Sequence, residues 1–366
     1  VWELTSAQLS GLTITPPAHD DSDFTLTVSV TSTEGSNADT ATASDTIDVS
    51  VTAVADAPTL VVTNAASGNE DTAISLSITA PSLVDADGTE SLSNITISGV
   101  PNGAVLSAGT DQGSGVWELT SAQLSGLTIT PPTNDDSDFT LTVSVTSTES
   151  SNADTATSTD TIDVSVIAVA DTPTLSLTNT ASGNEDTAIA LTISPSLVDT
   201  DSSESLSVTI SDVPTGATLS AGTNQGSGVW ILTAAELSGL TITPASNDDS
   251  DFTLTVTATS TEGANSDTAT SASQTIDVSV IAVADTPSLT LTDTASGNED
   301  TAIALSISAP SLVDSDGSEI LGNILISDVP SGAVLSAGTD LGSGVWELTS
   351  AELSGLTITP PTHDDS

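Results

Sequence analysis

The chain has 366 residues, 50 of them Asp or Glu and none of them Lys or Arg, so its formal charge at pH 7 is −50. The carboxylates therefore have no cationic side-chain partners apart from two histidines, and the groups that bind phosphate backbones or anionic membrane surfaces are missing, which points away from nucleic acid and from direct membrane contact. Cysteine is absent as well, so there is no disulfide, and without lysine there is no Lys–Asn isopeptide crosslink.

High net charge is a mark of disorder, but only 14% of the residues are charged while 36% are hydrophobic. The apolar residues are mostly β-branched and alternate with Thr and Ser, which is the pattern of half-buried strands. In chain order from Thr59 the reading gives strands over 59–63, 73–79, 92–98, 104–107 and 115–120, with 127–130 continuing or following the last. Two longer strands carry Phe139, Leu141, Val143 and Val145, then Ile162, Val164 and Val166. A single helical turn fits 121–125. Trp117 and Phe139 read as core aromatics. The fold class expected is all-β: Greek-key β-sandwich domains in tandem, with an immunoglobulin-like or cadherin-like strand order.

Repetition supports the tandem reading. Trp2, Trp117, Trp230 and Trp346 recur about every 115 residues, a spacing that suits one independent domain. The segment Val116–Pro132 returns almost unchanged at Val1–Pro17 and Val345–Pro361. The linker Ala55-Asp56-Ala57-Pro58 recurs at Ala170-Asp171-Thr172-Pro173 and Ala284-Asp285-Thr286-Pro287. The expected boundaries are 1–55, the C-terminal half of a repeat; 56–170 and 171–284, two complete sandwiches; and 285–366, the N-terminal part of another. The chain begins and stops inside repeats, so it is expected to be a piece of a longer, end-to-end rod. No run of about 18 apolar residues suggests a membrane helix.

The acids are not scattered. Tracing strands up and down places Glu70-Asp71 and Asp135, Asp136 and Asp138 at one end of the first complete sandwich, beside the departing linker acid Asp171. Asp199 and Asp201 fall in a loop at the facing end of the next repeat. The same set recurs as Asp20, Asp21, Asp23, Asp56, Asp85 and Asp87, and as Glu185, Asp186, Asp248, Asp249, Asp251, Asp285, Asp314 and Asp316. Crowded carboxylates repel unless a cation joins them. An all-oxygen donor set selects Ca2+ over zinc or copper, and its irregularity disfavours magnesium. Ca2+ and neighbouring repeats are therefore the expected partners, with these acids as metal ligands. Asp48, Asp163 and Asp277, between apolar strand positions, read instead as solubilising surface charges.

The linker Asp-x-Pro, followed about 30 residues later by Asp85 and Asp87, resembles the cadherin arrangement of inter-domain calcium ligands. ATLSAGT, VWELTSAQLSGLTITPP, DDSDFTLTV and VADTPTL resemble the extender repeats of large bacterial RTX adhesins secreted by type I systems. That resemblance implies an extracellular, calcium-rigidified stalk on a bacterial surface. It would project an adhesive tip in cell adhesion or biofilm formation, with the adhesive target bound elsewhere in the parent protein. Glycine-rich nonapeptide calcium repeats are missing from this sequence.

Catalysis fits poorly. His19 and His363 are replaced by Asn134 and Asn247 in the middle repeats, and paired acids recur in every repeat, so no enzyme is expected and no catalytic residue is assigned. The second reading is a carbohydrate- or ice-binding sandwich, suggested by Thr-rich strands such as 254–257. Threonine's ordinary preference for outward strand positions is the stronger explanation of these.

Overall fold

A computed structural model describes residues 1–85, 88–199, 201–314 and 317–362. It is built of strands and single 3-10 turns. Phe24–Thr33 (β1) and Thr40–Val49 (β2) form an antiparallel hairpin. The next segment holds Thr59–Val62 (β3), Ala65–Asn69 (β4), Ile74–Ser75 (β5), Ile78–Ser82 (β6), Glu90–Leu92 (β7) and Ile95–Ser98 (β8). Val105–Leu106 (β9), Thr110–Gly113 (β10), Val116–Leu119 (β11), Thr128–Thr130 (β12), Phe139–Glu149 (β13) and Thr155–Ile167 (β14) complete it.

One sheet runs β10-β11-β8-β13-β14-β4, with β7 also on β13; β5-β12-β9 and β3-β6 make the other layer. The strand expected over 59–63 continues further and splits. β3 pairs antiparallel with β6 in one layer, and β4 runs parallel to β14 in the other. The strand expected over 73–79 is likewise broken into β5 and β6, yet Ile74, Leu76 and Ile78 are all buried, as their alternation requires. They pack with Ile97, Leu119, Ile129, Leu141, Val143 and Ile162, while Trp117 and Phe139 lie half-buried against that core. The 3-10 turn Ser121–Leu124 is held by its own capping box, Thr120 N–H donating to Gln123 Oε1 at 2.9 Å. A second core of the same composition gathers around Ile210, Leu232, Ile242, Leu254 and Ile276, and a third around Leu335, Leu348, Leu353 and Leu356. The molecule is thus an all-β chain of sandwiches.

Contacts divide the chain into two compact units. The first comprises 1–170 with the loops Asp199–Glu204 and Glu262–Asp267; the second comprises 171–198, 205–261 and 268–366.

Strand parity explains where the acids sit. Along β13 the inward positions are Leu141, Val143, Val145, Ser147 and then Glu149, which is 2% exposed. The strand Phe252–Glu262 repeats this with Leu254, Val256, Ala258, Ser260 and finally Glu262, 1% exposed. Period two forces the last inward residue onto the core face whatever its chemistry. β4 likewise leads through inward-leaning Ala66 and Gly68 to buried Glu70. Gly68 is needed there, because a Cβ would meet Ile74 Cγ1 at 2.9 Å.

Candidate metal centre

Within the first unit, one ligand oxygen from each of Glu70, Asp199 and Glu262 lies within 4.8 Å of the others, and all three residues are buried. Glu70 is aimed by its backbone: its N–H donates to Ile167 O at 3.0 Å, and its Oε1 accepts from Val169 N–H at 2.7 Å. Asp199 is wrapped by its own loop, with Oδ1 accepting from Asp201 N–H at 3.0 Å and Oδ2 from the Ser203 hydroxyl at 3.3 Å. Gly263 N–H donates to Ser203 O at 3.0 Å and ties that loop to the turn after Glu262.

The hydrogen bonds then run out. Glu70 Oε2 and both carboxylate oxygens of Glu262 are buried without a hydrogen-bond partner, the nearby Ser203 hydroxyl being turned to Asp199. At 4.8 Å and an effective dielectric of about 20, each ionised pair costs roughly 3 kcal/mol. Burial first, and then Asp199, Asp71 and Glu262, push Glu70 up to about 7, against the downward pull of the Val169 N–H bond. Burial, followed by Glu204, Asp199 and Asp136, also raises Glu262, against a downward pull from the nearby Ser203 hydroxyl. Asp136 and Asp201 share a hydrogen bond at the margin. Burial and Asp201 raise Asp136, while hydrogen bonds from Ser203 and Asp136 outweigh burial and hold Asp201 low. The arrangement holds negative oxygen at a density that protons or a cation must balance.

The other expected ligands divide by task. Asp135 Oδ1 closes a turn by accepting from Ser137 N–H, and Asp20 and Asp248 do the same for Ser22 and Ser250. Asp138 and Asp251 clamp the last strand of their repeats, accepting from Val166 and Val280 N–H at 2.8 Å, and Asp23 accepts at the same distance from Val51 N–H, just past the end of β2. Asp71 and Asp186 are exposed and accept from Asn134 and Asn247 N–H. Asp171 belongs to the second unit, where its carbonyl accepts from the Ser260 hydroxyl at 2.6 Å. In that unit Glu185 is 4% exposed, its Oε1 accepting from Val283 N–H at 2.6 Å and its Oε2 buried without a hydrogen-bond partner. The Val283 bond lowers Glu185, but burial with Asp314, Asp186 and Asp249 raises it on balance. Asp314 is 5% exposed and accepts from the Ser318 hydroxyl; Asp285 N–H donates to Glu319 Oε1. Asp21 is half-buried. Asp56 and Asp85 join His19 in a second cluster of donors. Asp87 and Asp316 lie outside the described residues.

The sequence reading missed the strand-end glutamates. Glu262 supplies the most deeply buried carboxylate of the cage, and Glu90 and Glu319 have the same half-paired state as Glu70. The signal was present in Ser-Thr-Glu, which recurs at 32–34, 147–149 and 260–262 at the end of an alternating strand. Also missed were cation-independent clasps on the linkers. Asn152 Nδ2–H donates to Ala53 O at 2.8 Å and Asp154 Oδ2 accepts from Ala55 N–H at 3.0 Å; Asn265 and Asp267 repeat this on Ala168 and Ala170. Asp163, Asp48 and Asp277 are surface residues as expected, each accepting from a cross-strand threonine at 2.8 Å.

Among the described residues no helix is long and apolar enough to cross a membrane. The chain matches no protein-family model and no curated protein. It is similar to solved structures of tandem extracellular domains. EC1-2 of human mucin-like protocadherin shares 13% identity over 62% of this chain and 98% of that one, with a TM-score of 0.32. EC1-4 of Drosophila N-cadherin shares 12% over 93% and 76%, TM-score 0.23, and EC1-2 of chicken VE-cadherin 11% over 60% and 98%, TM-score 0.24. At TM-scores this low the likenesses carry no argument about this chain, whose fold is read from its own sheets.

Proposed function

We propose that this chain is a calcium-stiffened spacer from the extender region of a large bacterial surface adhesin of the RTX type, secreted by a type I system. It consists of repeats divided at 55/56, 170/171 and 284/285. The observation that carries the reading is Glu262, whose two oxygens are buried without donors beside Glu70 and Asp199. A carboxylate in that state needs a proton or a metal. Calcium takes six to eight oxygens at about 2.3–2.6 Å, and the donors here are carboxylates with the Ser203 hydroxyl beside them. Glu70, Asp199 and Glu262 would hold the ion, with Asp136 and Asp201 at its margin. An ion there would convert mutual repulsion into attraction, and because Glu70 also accepts from the amide of Val169, next to the linker, the linker would be stiffened with it.

The role is mechanical and extracellular, with no catalysis and no nucleic-acid partner; the adhesive tip lies in another part of the parent protein. Chelation should lower the melting temperature and shorten the particle in small-angle scattering. Asp199→Ala with Asp201→Ala should remove the calcium response of this cage while the core around Leu141 stays folded. A particle whose scattering and melting ignore both calcium and chelator would overturn the reading.

A further inference from the structure

We propose that His19, Asp56 and Asp85 form a mixed nitrogen–oxygen site for a borderline divalent transition ion of the Zn2+ type. It goes beyond the calcium reading, which the cage of Glu70, Asp199 and Glu262 carries by itself. One donor atom from each of His19, Asp56 and Asp85 lies within 4.8 Å of the others. His19 Nδ1 and Asp56 Oδ2 are 2.6 Å apart. Asp56 is fixed through both of its backbone groups, with N–H donating to Glu90 Oε1 at 2.7 Å and C=O accepting from the Ser147 hydroxyl. Asp85 is 9% exposed and supplies the buried wall, whereas the His19 and Asp56 side chains are 43% and 39% exposed and leave a way in.

A second observation points to a cation. Glu90, beside Asp56, is 8% exposed and its Oε2 is buried without a hydrogen-bond partner. It stands directly opposite Glu149 in the ladder between β7 and β13.

The imidazole decides the metal. His19 sits at a left-handed position, φ 56°, and the same loop position holds Asn134 at 54° and Asn247 at 56°. Asn is at home in that conformation, and Asn247 meets Asp285 through its side-chain amide. An amide offers a cation only oxygen, a calcium-type donor. An imidazole nitrogen with two carboxylates is a zinc-type set, with a fourth position left for water. Tetrahedral donors about 2.1 Å from an ion lie roughly 3.4 Å apart, within the present spread after small rotations of half-exposed side chains.

The test uses the tag-free full chain carrying H363N, so that His19 is its only imidazole, in saturating Ca2+. Zn2+ titration by calorimetry should give one site per chain that excess Ca2+ does not displace, and Co2+ should give the visible absorption of a tetrahedral nitrogen–oxygen complex. His19→Asn installs the residue of the equivalent loops, so the melting curve in Ca2+ should be unchanged while Zn2+ affinity falls at least tenfold and the Co2+ band disappears. Equal Zn2+ binding with and without His19, full displacement by Ca2+, or no Zn2+ binding to the parent would each overturn the proposal. None of these outcomes bears on the calcium cage, whose failure would appear as a missing Ca2+ response.

Discussion

At the scale of single residues, the molecule is governed by carboxylates that strand parity has driven inward. Glu262 is the sharpest case. Its removal as a charge has opposite effects in the two states of the protein. In chelator, Glu262→Gln relieves repulsion with Glu204, Asp199 and Asp136 and should raise the melting temperature by a few degrees; in calcium it should weaken ion binding by tenfold or more, and a calcium titration of both forms checks the pair. Glu70 supplies a pH dependence. Its ordinary value of 4.5 rises to about 7 on folding, chiefly through burial. The folded chain therefore keeps a proton that the unfolded chain loses as pH climbs past 4.5. That contribution to stability is complete below about 4.5 and is lost as pH rises through about 7. Without metal, the melting temperature should be higher at pH 5 than at pH 7.5. In millimolar calcium the order should reverse, because the ligand must be ionised.

At the scale of elements, the hairpin between β10 and β11 turns on Ser114 and Gly115, with φ of 55° and 74°. Two successive positive φ values make the tight two-residue turn that matches strand twist. A Cβ on Gly115 would lie 2.5 Å from Val100 O, whereas one on Gly113, φ 84°, meets nothing within 4 Å. Gly115→Ala should cost roughly 2 kcal/mol or more, and Gly113→Ala only about 1 kcal/mol, the price of the backbone conformation alone. Urea unfolding of both variants measures the difference. The hairpin also shows where sequence reading stops. β13 and β14 were legible because Leu141, Val143, Ile162 and Val164 alternate with Thr, Ser and Asp. β10 was not, because Thr110, Asp111, Gln112 and Gly113 are all exposed and carry no apolar face. β4 was hidden for a related reason: Ala66 and Gly68 are too small to register as an inward stripe. The acidic loops were legible as clusters. Their sorting into turn formers such as Asp135, strand clamps such as Asp138 and buried donors such as Glu70 was not, since all are carboxylates in sequence and only backbone geometry separates them.

At the scale of the whole molecule, a chain of charge −50 without lysine or arginine has to find its positive charge in the surrounding solution. Protons serve in part, as the raised Glu70, Glu262 and Glu185 indicate. A divalent ion bound at each buried cluster would serve better, because it would remove several repulsions at once and couple loops that share no covalent neighbour. With calcium about a hundredfold above its dissociation constant, each site adds about 2.7 kcal/mol to folding. The most direct test is calcium titration of the metal-stripped chain by calorimetry, run in parallel with the double variant Asp199→Ala, Asp201→Ala. Saturable binding is expected, and the double variant should lose part of it, namely the ions held in the cage around Glu262. Isotherms that are flat, or identical in the two proteins, would contradict it.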